Sequence, residues 1–485
     1  MPGAALARRD RRQPEIVIVG AGLAGLRCAD ALWHGHGLRS RVYEWNTHAG
    51  GRCHTLRGFF AGGVAAEQCG EFVSSEHTDV RALVRRFGLH LETSDPSPSR
   101  TRSTYRFNGG LYTEAQLNAD WREWGRAVFR DAVRRAPWPT RFNRHVSETA
   151  RRWDHLSVPE WVEEHVPGGL GSRFGQLVIQ DVIDEFGGDP ADQSALNAVY
   201  VLGYDDSSES GFQPYDAPML SGTDEAYHIH GGNDQLVTGL EAGLPSGTIE
   251  YGHRLIGLRR HGGRTTCVFE HGGSTRQVHA DHVVLALPFA TLRHVDLAGA
   301  NLSARKLRAI RELGMGSNCK VQLQMHDTMW YGLGRNGTFY TGNGLQSGWP
   351  AAGVQPGKPP VMVDYPSAWE GRTLGMRYGL TSDHGPAPHR LATDTLAKLE
   401  QLFPGISSHW NGLAWVHWTP GDEHIGGSYA YYRVGQYTGI SGVEPLPEGN
   451  IHFAGEHTSL GFQGYMEGAV RTGARAAREV SAAAS

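Results

Sequence analysis

The chain has 485 residues, long enough for two to four structural units around a large buried interior. Its 46 Lys and Arg against 50 Asp and Glu leave a formal charge of −4, so no basic field argues for nucleic acid, and a small-molecule partner fits better. Glycine fills 65 positions, roughly twice the usual ~7%, yet with the 24 prolines it stays below the ~25–30% of low-complexity chains and follows no G-X-Y period, which excludes collagen and bulk disorder.

Five cysteines (Cys28, Cys53, Cys69, Cys267, Cys319) are odd in number and form no C-x-x-C pair. They indicate neither a disulfide scaffold nor a zinc ribbon and fit a reducing, cytoplasmic setting. The 25 histidines are scattered without an H-E-x-x-H, so no metal site is expected. No run approaches the ~18 apolar residues of a membrane helix. Arg8, Arg9, Arg11 and Arg12 have the look of a twin-arginine export signal. The apolar stretch that follows runs straight into a glycine motif of the mature fold with no cleavage spacer, so none is expected.

In chain order, Ile16 to Val19 reads as a buried parallel strand, followed by Gly20-Ala-Gly22-Leu-Ala-Gly25, a helix to about Trp33 and a second strand, Arg41 to Glu44. This βαβ setting explains each glycine: Gly20 allows a tight turn, Gly22 a close approach to a pyrophosphate, and Gly25 helix–strand packing. Glu44, 24 residues after Gly20, stands where a carboxylate can hydrogen-bond ribose hydroxyls. Helices are expected over Trp121–Arg135, Trp153–His165, Arg173–Phe186 and Ser303–Leu313. Strands at 253–258, 265–270 and 277–280 form a meander with turns at Gly262-Gly263 and Gly272-Gly273, followed by a buried strand from His282. Asn450 to Gly455 is again a strand into glycine, and an Ala-rich helix runs from Tyr465 to about Val480. Flexible crossings are expected at 92–103, 205–223 and 351–360, all rich in Ser, Pro, Gly or Asp.

A second motif decides which dinucleotide is meant. His48-Ala-Gly50-Gly51-Arg52-Cys53-His54 offers two glycines for backbone approach and a guanidinium to pair with pyrophosphate, a pair that a nicotinamide enzyme does not need. With Phe453-Ala-Gly455-Glu456-His, Gly464-Tyr465-Met466, His230-Gly-Gly-Asn-Asp, Leu285-Ala-Leu-Pro288 and Gly316-Ser-Asn-Cys-Lys320, the set resembles the flavin amine oxidase family of monoamine, polyamine and L-amino-acid oxidases. The likeness covers nearly the whole chain. It implies an α/β fold: a Rossmann-like FAD-binding domain from 14–90, 225–300 and 413–480, and a discontinuous α+β substrate domain from 91–224 and 301–412.

The resemblance also implies roles. Gly70, Glu71, Leu255, Trp418, Ser428, Gly455, Glu456, Gly464 and Met466 join Gly20, Gly22, Gly25, Glu44, Gly50, Gly51 and Arg52 as FAD-binding residues. The N-terminus of the last helix would face the flavin pyrimidine, where its dipole stabilises the negative charge of the reduced ring. Lys320 would hold a water at flavin N5; burial there would lower its pKa. Its neighbours Val321, Leu323 and Met325 alternate with polar residues, as in a half-buried strand. Ser428 stands where mitochondrial monoamine oxidases carry the cysteine that bonds flavin, so the FAD is expected to be non-covalent. Tyr429 and Tyr465 match the aromatic pair that flanks the amine and excludes water.

The expected reaction is hydride transfer from the carbon bearing a neutral amine to flavin N5, giving an imine that hydrolyses, with hydrogen peroxide from oxygen. The expected partners are a small amine or amino acid and oxygen, with no nucleic acid and no membrane; a homodimer is allowed. Glu67 to Ser75 holds no arginine for a substrate carboxylate, which favours an amine, although Arg102, Arg106, Arg335 or Arg433 could still supply one to an L-amino acid, an aromatic one included. An FAD-dependent desaturase or dehydrogenase and a redox-inactive FAD-binding protein are the other readings.

Overall fold

The computed structural model describes residues 13–99, 101–203, 224–351, 355 and 357–484. The N-terminal arginines 8, 9, 11 and 12, the crossing at 205–223, and residues 352–354 and 356 of the crossing at 351–360 lie outside the described residues.

Three remote segments build one five-stranded sheet. Ile16–Val19, buried along its whole length, lies between Arg41–Tyr43 and His282–Leu285, and all three run parallel. Ile451–Phe453 extends the sheet beside His282–Leu285, and Ile249–Glu250 closes the other edge. Strands buried on both faces are β-branched runs, as in Ile-Val-Ile-Val here. Helix Leu23–Asp30 follows the glycine turn and packs against the last helix, Met466–Ala484. A Cβ on Gly25 would lie 1.9 Å from the Gly20 carbonyl oxygen, and one on Gly473 would lie 2.3 Å from the Ala24 carbonyl oxygen. The helix can therefore sit on the turn, and the two helices on each other, only with hydrogen at those positions. The meander forms as expected from Arg254–His261, Arg264–His271 and Ser274–Ala280, with Asp296–Gly299 added in parallel.

An eight-stranded sheet carries the second unit, in the order His384–Pro386, Trp410–His417, Lys320–Met325, Val361–Asp364, Ser347–Pro350, Arg335–Thr341, Arg102–Phe107 and Gly110–Leu111. The expected cut at 412/413 falls inside Trp410–His417, which pairs along Lys320–Met325. The latter strand is not half-buried but buried on both faces. Val321, Leu323 and Met325 enter a core with Trp330, Phe339 and Phe403. Lys320, Gln322 and Gln324 face residues 61–71: Gln322 Nε2 donates to the Glu67 carbonyl at 3.0 Å and Gln324 Nε2 to that of Ala61 at 2.9 Å. A polar face is buried here because the opposing backbone supplies acceptors.

The helix expected over Trp153–His165 is two helices, Glu148–Asp154 and Val158–His165. Ser157 starts the second with a capping box: its amide donates to Glu160 Oε2 at 2.7 Å, and its hydroxyl accepts from the Glu160 amide at 3.5 Å. Arg173–Phe186 is helical as expected and ends at Gly187 with φ 63°. The segment 121–135 opens with a π turn, Trp121–Gly125, and continues as helix Arg126–Arg135, while Ala304–Glu312 forms from Ser303, whose hydroxyl caps it.

Gly25→Ala places its methyl against a backbone oxygen that cannot move without opening the glycine turn. The expected cost is about 1–3 kcal/mol, read as a lower midpoint in thermal unfolding together with reduced bound flavin. An unchanged midpoint would contradict the close approach.

Candidate active site

One cavity of about 1160 Å³ runs between the two sheets. At one end it is lined by Gly20, Gly22, Glu44, Gly50, Gly51 and Arg52, and nearby by Leu255. Glu44 does more there than face a ribose: Oε2 accepts from the Ala21 amide at 2.6 Å and Oε1 from the Asn46 amide at 2.7 Å. The carboxylate thereby fixes the glycine turn to the end of the second strand. Gly50 donates its amide to the Ala21 carbonyl at 3.0 Å, bringing the second glycine pair onto the first.

Arg52 is held by protein groups. Its Nη1 donates to the Ser428 carbonyl at 2.6 Å and to Glu456 Oε1 at 2.7 Å. Glu456 Oε2 accepts from the Gly464 amide at 2.9 Å and from the Ala430 amide at 3.4 Å. One buried carboxylate therefore holds the peptides beside both Tyr429 and Tyr465. The Ser428 hydroxyl donates to Asn318 Oδ1 at 2.6 Å. Gly70 packs its Cα towards the Met466 side chain, and Gly455, Gly464 and Met466 line the cavity with them. His457 lines the same wall, buried, with neither ring nitrogen bonded. Burial, with the charges of Arg52 and Lys306, holds it well below the usual histidine range, so its ring is neutral. Orphaned nitrogens on such a wall fit a large polar ligand such as a flavin dinucleotide, as do the glycines and the N-terminus of helix Met466–Ala484.

At the other end the cavity meets Lys320, Glu71, Tyr429 and Tyr465. Lys320, 3% exposed, donates to Glu71 Oε2 at 2.5 Å and to the Glu67 carbonyl at 3.2 Å. The lysine expected to hold a water thus has a carboxylate partner of its own. Tyr429 Oη donates to the Asp184 carbonyl at 2.6 Å and lies 3.3 Å from Tyr365 Oη; Tyr465 Oη donates to Glu185 Oε1 at 2.5 Å. Burial above all pushes the Tyr429 hydroxyl well above its usual range, so its ring stays a neutral wall rather than a proton donor.

His417 sits beside Lys320 in the sheet, its Nδ1 2.9 Å from the Gln68 carbonyl and 3.4 Å from Cys69 Sγ. Burial opposes its charge, but Cys69, Asp422 and the Gln68 carbonyl push its pKa up to about 10. Asp422, despite its own burial, is held well below the carboxylate range by His417 and His424. Asp383, His417 and Asp422 bring one ligand atom each to within 4.8 Å of one another, the one such grouping among the described residues, and the imidazolium supplies positive charge between the two aspartates.

Of the residues singled out in the sequence, Gly25 and Trp418 do not line the cavity. Gly25 packs under the turn. The Trp418 indole packs beside Gly375 and Gly421 and donates to the Gly371 carbonyl at 3.0 Å. Arg102, Arg106, Arg335 and Arg433 are likewise absent from the lining; Arg102 pairs with Glu114 and Arg433 lies over Tyr431. The sequence reading missed His417, His457, Asp181, Asp184, Glu225 and Tyr365, all cavity residues. Only His457 stands in one of the motifs; His417, Asp181 and Asp184 come from a strand and a helix, and Glu225 and Tyr365 from the segments beside strands, whose inward face no spacing reveals.

A glycine turn at the end of a strand in a parallel sheet, joined by one cavity to a buried lysine and two tyrosines, fits the class of flavin-dependent oxidoreductases. The match narrows this: residues 23–481 conform to the family described as flavin containing amine oxidoreductase, and the chain belongs to that family and is a flavin-dependent amine oxidoreductase. It is similar to a putative L-amino-acid oxidase, YobN, of Bacillus subtilis (24% identical; 96% of this chain, 94% of the relative). It is also similar to a nicotine dehydrogenase of Pseudomonas putida (27%; 96% and 88%). Among solved structures, cyclohexylamine oxidase from Brevibacterium oxydans superposes with a TM-score of 0.80 at 20% identity, covering 97% of this chain and 99% of that one. The fold is that of the two-domain flavin amine oxidases. No helix among the described residues is long and apolar enough to cross a membrane.

Two outcomes are expected. Glu456→Gln leaves the half-buried Arg52 without its counterion, at a cost of about 1–3 kcal/mol, measured by chemical denaturation; an equal stability would remove Glu456 from its central place. His417 is charged when folded up to about pH 10 but only to about 6.5 when unfolded, so its stabilisation is complete below pH 6.5 and is lost as pH rises through 10. The stability gap between the protein and His417→Gln should therefore shrink between pH 6.5 and 10, and a gap that widens with pH would reverse the assignment.

Proposed function

We propose that the protein is an FAD-dependent amine oxidase that binds its FAD without a covalent bond. The observation that carries this is a single cavity that joins the glycine turn and Glu44 at one end to Lys320, Tyr429 and Tyr465 at the other. Gly20, Gly22, Gly50 and Gly51 would take the pyrophosphate, Glu44 the ribose, and Gly464 to Met466 the flavin. When bound, the cofactor supplies the hydride acceptor, so that an amine, oxygen and water become a carbonyl compound, ammonia or a smaller amine, and hydrogen peroxide.

The chain's own residues supply position, dryness and charge. Tyr429 and Tyr465 present two ring faces between which an amine is held and water is excluded. Their hydroxyls are already committed to Asp184 and Glu185, so the rings are fixed before substrate arrives. Lys320, whose Nζ donates to Glu71, would stand where oxygen meets the reduced cofactor and aid reoxidation. Ser428 offers a hydroxyl bonded to Asn318 where a thiol would be needed for attachment. The tyrosine pair favours this reading over a desaturase, and the absence of Arg102, Arg106, Arg335 and Arg433 from the lining favours an amine over an amino acid.

Mixing the yellow protein with amines under nitrogen is expected to bleach the visible flavin absorbance; bleaching by no amine would overturn the reading, and bleaching by L-amino acids alone would correct the substrate. Acid precipitation should leave FAD in the supernatant, and colour retained in the pellet would show a covalent bond and point to Cys69 or Cys53, the two thiols on the cavity wall. Lys320→Met should slow reoxidation by oxygen at least ~10-fold more than reduction by amine, measured by stopped-flow of the two half-reactions; equal slowing would deny the lysine its oxygen role.

A further inference from the structure

Helix Arg173–Phe186 ends in Asp181, Asp184 and Glu185, spaced i, i+3 and i+4, and all three line the cavity. This is the wrong end of a helix for carboxylates. The dipole there is negative, like charges at this spacing repel, and the last turn has no basic residue to offset them. Glu225, from the segment before strand Tyr227–Ile229, faces the same space, and the helix carboxylates Asp181 and Asp184 lie within its electrostatic reach.

Protein partners account for only part of this charge. Ser347 Oγ donates to Asp184 Oδ1 at 2.5 Å, and Tyr465 to Glu185. Asp181, 2% exposed, has Oδ2 buried with no hydrogen-bond partner. The consequence is visible in acidity: burial and then the neighbouring carboxylates push Glu225 up to about 8 and Asp181 well above its usual range, and burial pushes Asp184 up to about 6. The lysine and arginine side chains of the lining are all engaged elsewhere: Lys320 with Glu71, Arg52 with Glu456, Arg293 with the Ile310 and Leu313 carbonyls, and Arg254 over Trp45. The cavity end that holds the tyrosine pair thus gathers carboxyl groups with no protein cation to pair them, beside Tyr340, Trp349 and Tyr365, and a cation entering there would draw off their protons and pair with the charge.

We propose that the substrate carries a second cationic group, as a diamine or polyamine does, and that Asp181, Asp184 and Glu225 hold that group while Tyr429 and Tyr465 hold the reacting amine. This rests on the amine oxidase reading and deepens it. A methylene chain between two nitrogens suits the aromatic walls, and a distal ammonium satisfies the orphaned Asp181 oxygen with a charge-assisted hydrogen bond. A substrate carboxylate would meet only repulsion there, which sets amino acids with a free α-carboxylate apart from the class.

The test uses holoenzyme with 1-butylamine, 1-hexylamine, α,ω-diamines of three to eight carbons, and L-ornithine. Anaerobic stopped-flow reduction should show the preferred diamine ahead of its monoamine by on the order of 100-fold in reduction rate over dissociation constant. Asp181→Asn and Glu225→Gln should each cut that ratio at least about tenfold, and Asp181→Glu should keep most of it. Two substitutions on different elements keep the measurement available if one fails to fold. Thermal shift of the oxidised holoenzyme reads binding apart from turnover: a diamine should raise the melting temperature more than its monoamine. Equal reduction by monoamines and diamines overturns the second-cation site while leaving the amine oxidase reading intact. Failure of every amine to reduce the flavin overturns that reading instead, and a diamine-specific thermal shift would still support the cation site, while its absence would overturn it too. Faster reduction by L-ornithine than by the diamines also overturns it.

Discussion

The Glu456 carboxylate is the contact on which the site depends. It accepts from Arg52 in the first hundred residues, from the Ala430 amide at the start of the short strand Ala430–Tyr431, and from the Gly464 amide before the last helix. Three segments, that of Arg52 remote in sequence from the other two, are thereby fixed around one buried charge. A buried carboxylate of this kind stabilises little in net terms, because its desolvation offsets much of the attraction, but it tolerates only one arrangement of its donors. That arrangement sets Tyr429 and Tyr465 on the same cavity wall.

Around this node the cavity is graded in charge. Its glycine-turn end, with the wall beside the last helix, offers backbone N–H groups, a helix N-terminus and a neutral His457 with unbonded ring nitrogens, groups suited to an anionic or polar ligand. Its far end gathers the buried Asp181 with the half-buried Asp184, Glu185 and Glu225. Lys320 and Glu71 stand between the two as a closed ion pair, so neither end borrows charge from the other. The same low dielectric that strengthens each pair raises the cost of every carboxylate left without one. The weakened acidity of Glu225 and Asp184 is the measure of that cost.

The first glycine turn, the meander, and the strands at 282–285 and 451–453 are legible because each is a local pattern: a short apolar run, a turn residue and a change of period. The break between Glu148–Asp154 and Val158–His165 is not, because the capping box of Ser157 and Glu160 hides inside what reads as one longer amphipathic run. Strand Lys320–Met325 misleads in another way. Its alternation is real, but alternation reports two chemically different faces and not which of them meets water. The polar face is buried because the carbonyls of residues 61–71 lie over it and accept from it. Likeness assigns Trp418 to the cofactor, and its indole instead fills the space left by Gly375 and Gly421.

The amino-acid order settles what depends on neighbours in the chain: where the backbone needs glycine, where strands and helices start, and the succession of motifs that marks the family. Gly20 needs its φ of 100° in any fold that uses this turn. Only packing settles what each charged side chain faces. The spacing of Asp181, Asp184 and Glu185 says that they share a helix face, and nothing in that spacing says that the face looks onto Tyr429 and Tyr465. Likewise Glu71 finds Lys320, and Arg52 finds Glu456, across separations of 249 and 404 residues. Partners so far apart are set by how the sheets pack, because Coulomb attraction and hydrogen bonding act through space and leave no period along the chain.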